Sequence, residues 1–237
     1  MQDNQWCILV DEALYLTKSV LDNLEIDPGD GVKVLSSVLF RRLVLGAEAV
    51  HILVKNQLYT EARIQRRGQL EALFSLGALY RQPDILCDFI NKDSHRRIKL
   101  YQNLKKTSKR FRSHHLNDLS DSDIEKEIKV LKGQKGPHLS LETLSQKAGL
   151  HDLFLSDYSM LSEAAHHTAK DLERHIEVDE KGSIVGFLLE DPETDVAHLI
   201  YPTLCHLLMA WDAINDIFKL TQDKKIKEFS KKIEEMV

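Results

Sequence analysis

"GVKVLSSVLFRRLVLGAEAVHILVKN", residues 31–56, decides the fold. Apolar residues fall on almost every side of the helix this run forms, so little of its surface can be left to water. Such a helix belongs at the centre of a bundle, touched on several sides. Arg41, Arg42, Glu48 and His51 interrupt it, so it is not the unbroken stretch of about 18 apolar residues that a membrane span needs.

Working outward, "DPGDG" (27–31) separates this helix from an earlier helical pattern over residues 3–24. A third helix is expected over 59–81, broken by "RQPD" (81–84), and one or two helices with a basic face over 84–112. "LSDSDIEKEIKVL" (119–131) reads as a short exposed helix and "KGQKGPH" (132–138) as a loop. A short helix at 140–148 opens with a serine cap. Further helices are expected over 152–177 and 193–220, the second kinked at Pro202. Between them Lys181-Gly182, flanked by short alternating runs, predicts a small hairpin. The lysine-rich tail places Ile226, Phe229, Ile233 and Met236 at helical spacing, suited to packing on the body or on a second subunit.

The expected fold is therefore all-α: an up-and-down multi-helix bundle with a small late β-hairpin. One helical domain is expected over 1–220, followed by an amphipathic tail helix over 221–237. With 5 Pro and 10 Gly in 237 residues, the chain lacks the turns that a sandwich or barrel needs. Cys7, Cys87 and Cys205 are far apart, odd in number and set among apolar residues, which predicts buried, reduced thiols in a cytoplasmic protein. The first twenty residues lack a basic n-region, and no membrane association is expected. A net charge of -5 does not by itself point to nucleic acid. The phosphate-loop, dinucleotide, nucleophile-elbow and zincin motifs do not occur.

Chemistry concentrates in "YSMLSEAAHHTAKDL" (158–172). On a helix, Tyr158, Leu161, Ala165, Ala169, Leu172 and Ile176 form the buried stripe, while Glu163 and His167 face water. Tyr158, Ser162 and His166 follow one another at i, i+4 and make a polar seam along the stripe's edge. That seam is either a border satisfied by local hydrogen bonds or a hydroxyl–hydroxyl–imidazole line at a cleft. The third helix offers partners in Arg67 and Glu71, one turn apart on its flank. Arg67 could hold a phosphate or carboxylate, Glu71 could orient His166, and His166 could transfer a proton near neutral pH.

"RRGQLEALFSLGALYRQPD" (66–84) together with "YSMLSEAAHHTAKDLERHIEVDEKG" (158–182) resembles a bacterial all-helical family of unknown function, some members of which carry a SEC-C zinc tail. The shared pattern is an Arg-x-x-x-Glu helix followed by a Tyr-x-x-Leu-Ser-x-x-x-His helix, matched here by Arg67, Glu71, Tyr158, Leu161, Ser162 and His166. The resemblance covers roughly residues 35–200. This chain has no cysteine-rich tail, so the zinc role does not carry over, and the family brings no activity with it.

Two other patterns compete. Glu48-x-x-His51, Glu163-x-x-His166 and Asp195-x-x-His198 have the spacing of carboxylate–histidine metal bundles, with Glu71 as a further carboxylate. The other is basic. Between Ser94 and Asn117 stand eight cations and no acid: Arg96, Arg97, Lys99, Lys105, Lys106, Lys109, Arg110 and Arg112, interleaved with Tyr101 and Phe111. "RFRSHH" (110–115) sets Arg110 and His115 at a spacing similar to that of the HEPN ribonucleases, which implies RNA as a partner and a setting in phage defence or stress. The simpler alternative is a solvated face pairing with the acidic run at 118–127.

The reading taken forward is a HEPN-like helical protein that binds or cleaves RNA without metal or cofactor. Candidate catalytic residues are Arg67, Glu71, Tyr158, Ser162 and His166. Candidate RNA contacts are Arg96, Arg97, Lys105, Lys106, Lys109, Arg110, Arg112 and His115. If the protein cleaves, His166 or His115 is the expected base, and Arg67 or Arg110 stabilises the phosphate. The alternatives are a non-catalytic interaction or regulatory subunit, with a partner protein or a second copy of the chain, and the metal bundle.

Overall fold

The computed structural model describes residues 2–107, 120–133, 139–166, 168–188, 190–191 and 195–236. Its elements are α1 (Gln2–Asp22), α2 (Gly31–Lys55), α3 (Tyr59–Arg81), α4 (Leu86–Lys106), α5 (Asp121–Gly133), α6 (Leu141–Ala148), α7 (His151–Leu153), α8 (Ser159–Ala165) and α9 (Ala169–Leu172). A two-stranded hairpin, β1 (Ile176–Val178) and β2 (Ile184–Phe187), precedes α10 (Val196–Phe218) and α11 (Asp223–Glu234). The architecture is all-α with one small antiparallel sheet, as its sequence patterns predict.

α2 is the central helix. α1, α3 and α10 pack around it, and Phe40, Leu43, Val44, Ala47 and Val50 are fully buried. The core also takes in Trp6, Leu70, Phe74, Leu79, Leu204 and Trp211. α11 lies against α10 and buries Ile226, Phe229 and Ile233 in the same cluster. α4 and α5 pack on each other, with Leu104, Ile124 and Leu131 between them.

Local sequence explains the joints around the site. Asp30 caps α2 by accepting from the Lys33 N–H, and Ser140 caps α6 by accepting from the Thr143 N–H. Gly149 ends α6 at φ 67°, where a Cβ would stand 2.3 Å from the Arg81 guanidinium. In the hairpin loop, Asp179 Oδ1 accepts from the Lys181 and Ser183 N–H groups, and Gly182 takes φ 79°.

Two expectations are corrected. The single helix over 152–177 is instead a run from His151 to Ala165 with a π-helical turn at Phe154–Tyr158, then a break. Thr168 stops it by capping α9, its hydroxyl accepting from the Asp171 N–H, so Leu172 is exposed and Ile176 lies in β1. The buried-thiol expectation fails at Cys87, which is exposed on α4; Cys7 and Cys205 are half-buried, and none of the three forms a disulfide among the described residues. α10 runs as one helix through Pro202, the position where a kink is expected. Proline lacks the N–H that would bond the His198 carbonyl four residues back, and Arg66 Nη1 donates to that carbonyl at 2.7 Å instead. No helix of the described residues is long and apolar enough to cross a membrane.

Candidate functional site

α3 grips the 154–165 segment with consecutive arginines. Arg67 lies on the outer flank. Its Nη2 donates to the Tyr158 hydroxyl at 2.6 Å and its Nε to Ser162 Oγ at 3.2 Å. The guanidinium carbon also sits 4.9 Å from the centre of the Tyr158 ring, a cation–π contact. Glu71 Oε1 pairs with Arg67 at 3.1 Å and accepts from the Tyr158 hydroxyl at 3.1 Å. Ser162 Oγ donates to the Tyr158 carbonyl at 2.9 Å. Burial and the Glu71 carboxylate raise the Tyr158 phenol above its ordinary pKa, against the pull of Arg67. Phe154 stacks on the Tyr158 ring and Phe74 meets it edge-on, fixing its direction.

The seam therefore gathers Arg67, Glu71, Tyr158 and Ser162, four of the five residues expected there. His166 is not among these hydrogen bonds. The helix ends at this residue, whose N–H caps the Ser162 carbonyl at 3.1 Å while its side chain is exposed. Glu71 thus orients Tyr158 and not His166.

Arg66 points inward, 5% exposed. It pairs with Asp157, which the π-helical turn presents. His206 Nε2 lies 3.7 Å from Asp157 Oδ2, beyond hydrogen-bond reach, and its Nδ1 stands 3.4 Å from Gln69 Oε1. Burial, with the Arg66 charge beside it, pushes the His206 pKa down to about 3, so the ring is neutral. One turn earlier, Arg63 Nη2 reaches Asp171 at 3.5 Å and Thr60 Oγ1 at 2.8 Å. These residues were missed by sequence reasoning. Their signal was positional: Arg66 lies on the same stripe of α3 as Leu70 and Leu73, and His206 on the stripe of Leu199, Ala210 and Ile214.

Two clefts flank the seam. One, of about 580 Å³, lies between α3, α8, α9 and α10, with Arg63, Arg66, Lys170 and Arg174 on its walls against Asp157, Glu163 and Asp171. The other, of about 400 Å³, is walled by Arg42, Glu71, Ser75, Phe89, Asp93 and Arg96. Around α3 at about 100° per residue, Arg63 and Arg66 face the first cleft, Arg67 and Glu71 the seam, and Ala72 and Ser75 the second. The three make one diagonal band. Among the described residues Arg42, Arg96, Lys170 and Arg174 have no ion-pair partner.

The remaining expected residues are placed as follows. On α4, Arg97 pairs with Glu127 at 3.8 Å and Lys105 with Glu125 at 2.5 Å, so part of the basic face turns to the acidic helix α5. Lys106 is exposed at the end of α4. Lys109, Arg110, Arg112 and His115 lie outside the described residues. The carboxylate–histidine pattern does not assemble: Glu48 pairs with Lys18 at 2.6 Å and His51 with Asp11 at 3.0 Å. Among the described residues no group of three or more His, Cys, Asp or Glu could hold a metal ion.

The fold and site define an all-helical protein whose third helix carries an arginine–glutamate pair closed on a tyrosine–serine helix. Residues 33–184 match the "Family of unknown function (DUF5677)", and the chain belongs to that family. The match spans Arg67, Glu71, Tyr158, Ser162 and His166. No curated protein and no solved structure matches the chain.

Proposed function

We propose that the protein binds single-stranded RNA along the diagonal band over α3. The observation that supports this is the set of cations without an ion-pair partner among the described residues at its two ends, Arg42 and Arg96 at one and Lys170 and Arg174 at the other, with Arg67 and Tyr158 between them. Charges already committed to a carboxylate gain little from a phosphate, whereas free ones release counterions when a polyanion binds. A groove with cations along the path and aromatic groups beside it suits a single strand.

Binding is preferred to cleavage because the seam closes on itself: each polar group of Arg67, Glu71, Tyr158 and Ser162 described above engages another of the four. A HEPN-like, metal-independent ribonuclease is the second reading. It is favoured by His166, which stands exposed one turn beyond Ser162 and is free to act as a base.

The test is fluorescence anisotropy of labelled single-stranded RNA with the full chain over a salt series, beside gel assays of cleavage in EDTA. Arg42→Ala, Arg96→Ala, Lys170→Ala and Arg174→Ala are each expected to weaken binding and lower the salt slope by about one. Binding that is absent, or that ignores all four substitutions, overturns the proposal. Cleavage in EDTA that His166→Ala abolishes establishes the second reading. Equal affinity for duplex DNA makes the band a general polyanion surface.

A further inference from the structure

α2 leaves one strip of its surface bare. On it Val38, Leu45 and Ile52 stand 58%, 42% and 54% exposed, although the opposite side of the helix, with Phe40, Leu43, Val44, Ala47 and Val50, is fully buried. They recur every seven residues, the spacing at which apolar side chains line up for a partner helix. Val38, Arg41 and Leu45 form a ridge with a cleft on each side. One, of about 450 Å³, lies toward α1 and the other, of about 310 Å³, toward α3. In the second, a Cβ added at Gly68 would meet nothing within 4 Å, so the groove is open to an incoming ridge.

Charge identifies the occupant. Arg41 is exposed on the ridge with no ion-pair partner among the described residues. Glu48, one heptad on, pairs with Lys18 and keeps its side chain 34% exposed. When a second copy of α2 runs antiparallel with Leu45 facing Leu45, Val38 faces Ile52. Arg41 of each copy then comes alongside Glu48 of the other, twice by symmetry. In a parallel pair Arg41 would face Arg41 and Glu48 face Glu48. A surface that complements itself under a two-fold axis is what an isologous dimer uses.

We propose that the bare strip of α2 is the interface of an antiparallel homodimer, with Val38, Leu45 and Ile52 as its apolar layers and Arg41–Glu48 as its paired charges. This inference does not rest on RNA binding, although Arg42 lines both the groove toward α3 and one end of the proposed RNA band. A single helix pair falls at or below the about 1,200–2,000 Å² that stable interfaces bury, so the dimer is expected to dissociate reversibly in the micromolar range.

Sedimentation equilibrium of the full chain, without RNA, tests it, with circular dichroism to show that each variant folds. Wild type is expected to show a reversible monomer–dimer equilibrium. Leu45→Glu is expected to weaken it about a hundredfold or more, by burying two unpaired charges that face each other. Arg41→Glu and Glu48→Arg are each expected to weaken it about tenfold, and the double exchange to recover most of the loss. A chain that stays monomeric at every accessible concentration overturns the proposal, as does a dimer indifferent to Leu45→Glu. Failure of the double exchange to recover, with both single variants folded, overturns the antiparallel pairing.

Discussion

Arg66 and Arg67 are neighbours in sequence and sit in opposite surroundings. Arg66 is held in the interior between Asp157 and the His198 carbonyl, beside a neutral His206. Arg67 lies at the rim, shared among Tyr158, Ser162 and Glu71, with its side chain 24% exposed. The inner cluster has little water to replace a lost partner, so it fixes where the 154–165 segment sits. The outer seam can exchange partners with solvent or ligand at small cost. One helix thus holds the segment with one arginine and leaves the next available for function.

The largest expected effect breaks the inner half of that comparison. Arg66→Ala leaves the half-buried Asp157 carboxylate without its cation, and is expected to cost about 3–5 kcal/mol in urea unfolding. Arg66→Met combined with Asp157→Leu removes both charges, and is expected to recover most of that loss. An Arg66→Ala variant no less stable than Arg67→Ala would refute the contrast.

His206 sharpens the same half through pH. Its folded pKa of about 3 lies below the ordinary value of 6.5. In that window the unfolded chain binds a proton that the folded chain does not, so stability rises with pH from about 3 to about 6.5 and levels off above. The carboxylates also titrate at the acid end, so the comparison is with His206→Gln, whose profile is expected to be flatter between pH 4.5 and 6.5. Parallel profiles for the two proteins would show that the ring is not held neutral.

The outer half of this contrast was legible in the sequence, and the reasons the inner half was not are physical. The i, i+4 spacings placed Tyr158 beside Ser162 and Arg67 beside Glu71, because helical periodicity decides which residues share a face. The same periodicity misplaced His166, because it extrapolates through a helix end. The stop depends on Thr168 capping the next turn, a side chain competing with the backbone that a hydrophobic stripe does not register. The π-helical turn that presents Asp157 was likewise invisible, and so was the role of Pro202, whose missing N–H frees a carbonyl for an arginine more than a hundred residues away. Buried polar partners on separate helices leave no mark on either helix's own pattern.

A smaller effect tests the outer seam. Tyr158→Phe keeps the ring contacts with Phe154 and Phe74 and removes only the hydroxyl, which accepts from Arg67 and donates to Glu71. Both partners retain each other at 3.1 Å and can reach water. The expected loss is about 1 kcal/mol in urea unfolding, and Ser162→Ala is expected to lose less. A loss as large as that of Arg66→Ala would mean that the seam is a second structural clamp and is not free to take a ligand.

The smallest effect concerns α4, and the geometry there misleads. Lys105 and Glu125 approach to 2.5 Å, closer than the Arg67–Glu71 pair. Each raises or lowers the other's pKa in the sense that favours both charges. Yet the Glu125 side chain is 65% exposed and that of Lys105 36%. Water screens the attraction, and two long side chains must be ordered to make it. Lys105→Ala is therefore expected to leave the urea midpoint unchanged, at low salt as well as high. A measurable loss at low salt that vanishes in high salt would show that α4 and α5 are joined by charge. The joint would otherwise be Leu104, Ile124 and Leu131, whose burial is indifferent to screening.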